Sequence, residues 1–229
     1  MKFQKCLIIV VIFAILTTNL IAEEERTSSS VESMYLQSYE DVIVSELAAS
    51  DKYEAKLISL EYIKEAVDSG RTSPSITQSL YSLAGEGVFT VVNSEGRVAN
   101  NYPDIRREAA LMMANVPSEE TKDLLLDLVS NEPEPMVLSA AVYSLGEIGI
   151  IEDDDVVDQI AMMHRRFAVL NPTDSLASSI LETFEKIMPL VEDQSILIET
   201  VASIATNYNY VLPVREEAHR ILMTIKQSQ

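Results

Sequence analysis

This chain of 229 residues predicts an all-α fold and, within it, a solenoid: a superhelix of stacked antiparallel helix pairs. Three observations lead there. Aromatic residues make up 6% of the chain and tryptophan is absent, while Leu, Ile, Val, Ala and Met abound, a composition that favours helix packing over a β-sandwich. From Asp104 onward, apolar anchors recur at Ile105, Val137, Leu176 and Val214, separated by 32, 39 and 38 residues, the period of a two-helix unit. Proline or aspartate stands just before three of those anchors, in Tyr102-Pro103-Asp104, Glu134-Pro135-Met136 and Leu212-Pro213, where it marks the start of a helix.

Residues 1–22 place Lys2 and Lys5 ahead of an apolar run from Leu7 to Leu16, then a polar break and Leu20-Ile21-Ala22. This is the layout of a secretory signal peptide, and the run is about half of what a membrane-spanning helix needs. Cleavage after Ala22 is expected, which leaves no integral membrane span and sends the protein to the periplasm, to the outside or to a bacterial cell envelope. Leu20 is larger than the residue usual three before a cut, so an uncleaved anchor stands as the alternative.

Cys6, the single cysteine, falls in that segment, so the mature chain has no disulfide, thiolate nucleophile or zinc-thiolate site. Loss of Lys2 and Lys5 takes the formal charge from −19 to −21. Such a surface repels phosphate backbones and anionic headgroups, so no nucleic acid is expected as a partner.

Residues 23–30 read as a flexible polar leader, and order is expected to begin near Val31. The N-terminal helical part then covers 31–103. Leu36, Tyr39, Ile43 and Leu47 recur at helical spacing, and Tyr53, Leu57 and Leu60 repeat the pattern, so two successive helices with these residues inward are predicted. Ser69-Gly70 to Pro74 closes the second, and a third runs to Gly85. Residues 86–103 change character: Val88-Phe89-Thr90-Val91-Val92 is followed by Asn93-Ser94-Glu95-Gly96, which predicts an irregular loop holding a short hairpin, either functional or a plug over the core.

The repeat region covers 104–229. Each anchor is followed by apolar residues at about eight and eleven positions on: Met113 and Val116, Leu145 and Ile148, Phe184 and Ile187, Leu222 and Ile225. Partner helices follow at Ser118-Glu119-Glu120, Asp153-Asp154-Asp155 and Asp193-Gln194-Ser195, where hydroxyls and acids suit the positive end of a helix. Their inner faces are Leu124, Leu125, Leu128; Val156, Ile160, Met163, Phe167; and Ile196, Ile198, Val201, Ile204. A single pair cannot bury its apolar face, so the pairs stack.

The segments 104–116 and 135–149 resemble the first helix of HEAT repeats, particularly the bacterial PBS-lyase HEAT-like kind. Pro135, Val137, Ala141, Leu145 and Gly146 match that pattern, as do Pro213, Val214, Arg215 and Ala218, whereas Leu138 stands where arginine is usual. The resemblance implies a non-catalytic scaffold that binds macromolecules along a groove lined by the second helices.

Candidate sites are few. His164 and His219 lie in different repeats without ligand spacing, so a surface or packing role is expected for each and neither a metal nor any cofactor is implied. The run 152–155 with Asp158 has carboxylates for a hard cation but lacks the glycine and distal glutamate of a calcium loop, and capping of a helix start explains it. Asp158, Met162 and Arg165 share one helix face, and with Arg166 they form the candidate partner-binding surface; the alternative is that Arg165 and Arg166 pair with nearby acids. Asn207, Tyr208, Asn209 and Tyr210 read as a turn. The expected function is protein–protein interaction or envelope assembly; the competing reading is a periplasmic small-ligand carrier or lyase-like enzyme using the groove, with 86–103 as its lid.

Overall fold

The structure, a computed structural model, describes residues 34–151 and 154–228. The expected signal segment, the leader, the start of order near Val31, and Glu152 with Asp153 lie outside the described residues. The chain divides into two units, Met1–Ile43 and Val44–Gln229. In the first, residues 34–43 are helical, and Met34, Tyr35, Leu36, Tyr39 and Val42 are exposed. These belong to a helix over 34–49, α1, whose residues 44–49 open the second unit.

The second unit continues with α2 (Tyr53–Asp68), α3 (Pro74–Ala84), a two-stranded antiparallel hairpin of β1 (Asn93–Ser94) and β2 (Arg97–Val98), and α4 (Pro103–Met113). It then runs through α5 (Glu119–Asn131), α6 (Pro135–Ile148), α7 (Asp155–Leu170), α8 (Asp174–Ile187), α9 (Ser195–Thr206) and α10 (Leu212–Ser228). Helices α4, α6, α8 and α10 pack one against the next to form a first layer, and α5, α7 and α9 form a second. At the N-terminal side α2 and α3 both lie against α4. This is an all-α solenoid of stacked helix pairs. Among the described residues no helix is long and apolar enough to cross a membrane.

The anchors fill the core: Ile105, Ala109, Met113, Val137, Ala141, Leu145, Leu176, Ile180, Phe184, Val214, Ala218 and Ile225 are all buried. Hydroxyls stitch the first layer. Ser144 Oγ of α6 donates to the Ala110 carbonyl of α4 (2.7 Å), and Thr183 Oγ1 of α8 donates to the Val142 carbonyl of α6 (2.8 Å). Donors and acceptors occupy the same places in successive repeats, so one contact recurs down the stack.

Three expectations need correction. The stripe Leu36, Tyr39, Ile43 is exposed, and Val44 and Ala48 are the buried residues of α1. On α2, Leu57 is likewise exposed, while Lys56, Ser59, Leu60 and Ile63 are buried. The cause is polar: Lys56 Nζ donates to the Ala48 carbonyl (2.9 Å) and Ser59 Oγ to the Val44 carbonyl (3.1 Å), so α2 turns its polar residues towards the end of α1. On α9 it is Leu197, with Val201 and Ile204, that is buried; Ile196 and Ile198 are half-buried.

The third correction concerns caps. Ser118 caps α5 as expected, its Oγ accepting the Thr121 N–H (3.0 Å). Asp154 does not cap α7: its backbone is left-handed (φ 56°), whereas a capping residue is extended, and its carboxylate instead accepts the N–H groups of Glu192 (3.4 Å) and Asp193 (3.2 Å). It ties the α6–α7 connection to the α8–α9 connection.

Candidate interaction surface

Helix α7 buries Val156, Ile160, Met163 and Phe167 and so turns Asp158, Met162 and Arg165 outward. These residues, spaced by four and three, form one exposed line, and Val169 extends it by a further turn. Met162 is 59% exposed, an unusual place for a large flexible apolar side chain. Arg165 makes no ion pair with an acid among the described residues.

Arg166 is exposed too but turns towards α5. It donates to the Ser130 carbonyl in the last turn of that helix (3.2 Å), where a cation suits the negative helix end, and lies 4.9 Å over the Phe167 ring. Val129, Ser130, Gln159, Met162, Met163 and Arg166 line a cleft between α5 and α7. The arrangement offers a carboxylate, a thioether and a guanidinium in a row beside a shallow cleft, which suits contact with a complementary surface.

His164 is 2% exposed and sits under α9 and its following loop, 3.4 Å from Ser203 Oγ and with its ring 6.4 Å from that of Tyr210. Burial, with the charge of Arg165 beside it, lowers its pKa to about 4, so it is neutral in the folded protein. It is a packing residue. His219 is exposed on α10. Among the described residues no group of three or more His, Cys, Asp or Glu side chains is placed to hold a metal ion.

Sequence reasoning missed the polar seat of the loop between α3 and α4. Arg106 is fully buried, and its Nε and a terminal nitrogen grip Glu132 at 2.7 and 3.0 Å. The remaining terminal nitrogen donates to the Glu86 carbonyl (3.1 Å) and to Asn101 Oδ1 (2.9 Å). The Glu86 carboxylate receives Lys56 Nζ (3.0 Å) and Asn100 Nδ2 (2.8 Å), and Asn100 also bonds the Thr90 carbonyl and the Val92 N–H. Gly87 has φ +74°, and a Cβ there would lie 2.4 Å from the Asn100 carbonyl oxygen, so only glycine lets the loop close on itself. The loop is clamped from beneath. A short polar run gives no hint of this, because its partners come from α2, α4 and α5.

The loop after α9 forms a turn as expected: Asn207 Oδ1 accepts the Asn209 N–H (3.0 Å). Tyr210 is buried and Tyr208 is exposed, with the Arg215 guanidinium 4.8 Å above the Tyr208 ring.

A family model described as HEAT repeats matches residues 96–166, from the hairpin through α4, α5 and α6 into α7. No curated protein and no solved structure matches the chain.

Proposed function

We propose that this protein is an exported scaffold that binds a protein partner along the exposed face of α7, through Asp158, Met162 and Arg165, with Arg166 holding the α5–α7 cleft in shape. HEAT repeats in general serve protein interaction, and the stretch that matches them ends within α7. The observation that carries the reading is the exposed Met162 beside an exposed Arg165 that has no ion-pair partner among the described residues, since methionine and arginine are both enriched at interfaces. Export rests on the layout of residues 1–22 and places the partner in the cell envelope.

Affinity capture from an envelope fraction tests it. The wild-type protein should retain a partner in stoichiometric amount, and Met162→Ala combined with Arg165→Glu should weaken that binding at least tenfold without change in helicity. Equal retention by the double variant removes this face from the interface. The mass of the exported protein checks cleavage after Ala22: retention of residues 1–22 would mean an uncleaved anchor.

A further inference from the structure

Arg106 and Arg215 occupy the same place in their repeats, one residue after the anchors Ile105 and Val214, yet they end differently. Arg106 is met by Glu132 at the end of the helix that follows α4. Arg215 lies on α10, the last described helix, and no following helix among the described residues supplies a carboxylate. Its Nε, the atom that in Arg106 bonds Glu132, is buried without a hydrogen-bond partner among the described residues, and its guanidinium rests on the exposed Tyr208 ring.

Around Arg215 lies an exposed apolar edge. Tyr208, Val211 and Leu212 lead into α10, and these three residues are between 50% and 87% exposed. Two contacts fix this segment in place: the His164 ring lies against that of Tyr210, and the Val211 N–H donates to Asp174 Oδ1 (2.9 Å). Bulky apolar side chains grouped in this way mark an interaction site.

We propose that this edge docks an acidic, apolar segment of another protein, one of whose carboxylates takes the Arg215 guanidinium as Glu132 takes that of Arg106. Charge selects the occupant. The Arg215 guanidinium, its Nε without a hydrogen-bond partner among the described residues, stands beside aliphatic side chains and favours a carboxylate over a cation. The inference rests on the reading of the protein as a partner-binding solenoid but uses a different surface from the α7 line.

The test titrates the full chain with a fluorescent peptide of alternating Glu and Leu, and with its Gln-for-Glu counterpart. The acidic peptide should bind saturably although the protein as a whole repels it. Arg215→Leu, and separately Tyr208→Ser with Leu212→Ser, should each weaken it at least tenfold at unchanged helicity. The Gln peptide should bind at least tenfold more weakly. Equal affinity for the two peptides, or binding indifferent to both variants, overturns the proposal. So does self-association, or binding to vesicles of anionic lipid, that the same variants abolish. The α7 substitutions play no part in this titration, so its failure leaves the α7 reading standing, and loss of the α7 interface leaves this one standing.

Discussion

The seat of the loop between α3 and α4 and the contact between α6 and α8 solve the same problem by opposite means. At α6–α8 two regular helices satisfy their own backbones, so a buried hydroxyl, that of Thr183 on the Val142 carbonyl, is enough and small residues can bring the axes together. Ala140, Ala141 and Ala177 are buried there, and Gly146 leaves so little room that a Cβ would fall 2.8 Å from Thr183 Oγ1 and 3.1 Å from Thr183 Cα. The loop turns the Glu86 and Thr90 carbonyls and the Val92 N–H towards side chains rather than towards a neighbouring helix. To lie against the core it needs polar side chains inside, and Lys56, Glu86, Asn100, Arg106 and Glu132 supply them. A repeating interface copies itself with small residues; a loop that interrupts the repeat needs side chains placed for it alone.

The sharpest way to break this contrast is to remove one charge from the loop seat. Arg106→Met leaves Glu132 buried and unpaired, and the loss should be about 3–5 kcal/mol in denaturant unfolding. Hydrogen exchange over 85–102 should accelerate more than that over α6 and α8. Uniform acceleration would mean that the two regions unfold as one.

Acid should act on the repeats through His164. Its folded-state pKa of about 4 lies below the ordinary 6.5, so between those values the unfolded chain binds the extra proton. Its stabilising contribution is complete above pH 6.5 and declines as pH falls towards 4, by about 2–3 kcal/mol at most. Unfolding midpoints measured at pH 7 and pH 4.5 should therefore differ less in His164→Gln than in the wild type. An unchanged difference would assign the acid sensitivity elsewhere.

The smallest effect is expected at the helix contact itself. Gly146→Ala improves helix propensity by about 1 kcal/mol but forces α6 from Thr183, and overpacking at a close contact costs about 1–3 kcal/mol. A net loss of about 1 kcal/mol in thermal or denaturant unfolding is expected; a gain would show that α6 and α8 separate without cost.

Much of the repeat region was legible in advance. Val137, Ala141 and Leu145 recur at helical spacing and are buried, and Pro103 and Pro135 stand at the first helical position. The candidate line on α7 was legible for the same reason: once Val156, Ile160, Met163 and Phe167 face inward, Asp158, Met162 and Arg165 must face out. The N-terminal helices read less well. Lys56 and Ser59 are polar letters in buried places, and their carbonyl partners at Ala48 and Val44 are 8 and 15 residues away. Asp154 failed as a cap because its backbone turned left-handed, which the residue type permits but does not require.

The sequence by itself determined which stretches are helical, where α4, α5 and α6 begin, and which side of α6, α7 and α8 faces the core, because these depend on residues within a turn or two of one another. Only the tertiary structure decided that Glu132 answers Arg106, that Asp154 holds the backbone at Glu192 and Asp193, and that among the described residues no carboxylate reaches Arg215. Those outcomes depend on which helix ends meet in space, and an arginine carries the same letters whether or not an acid 26 residues further on arrives beside it.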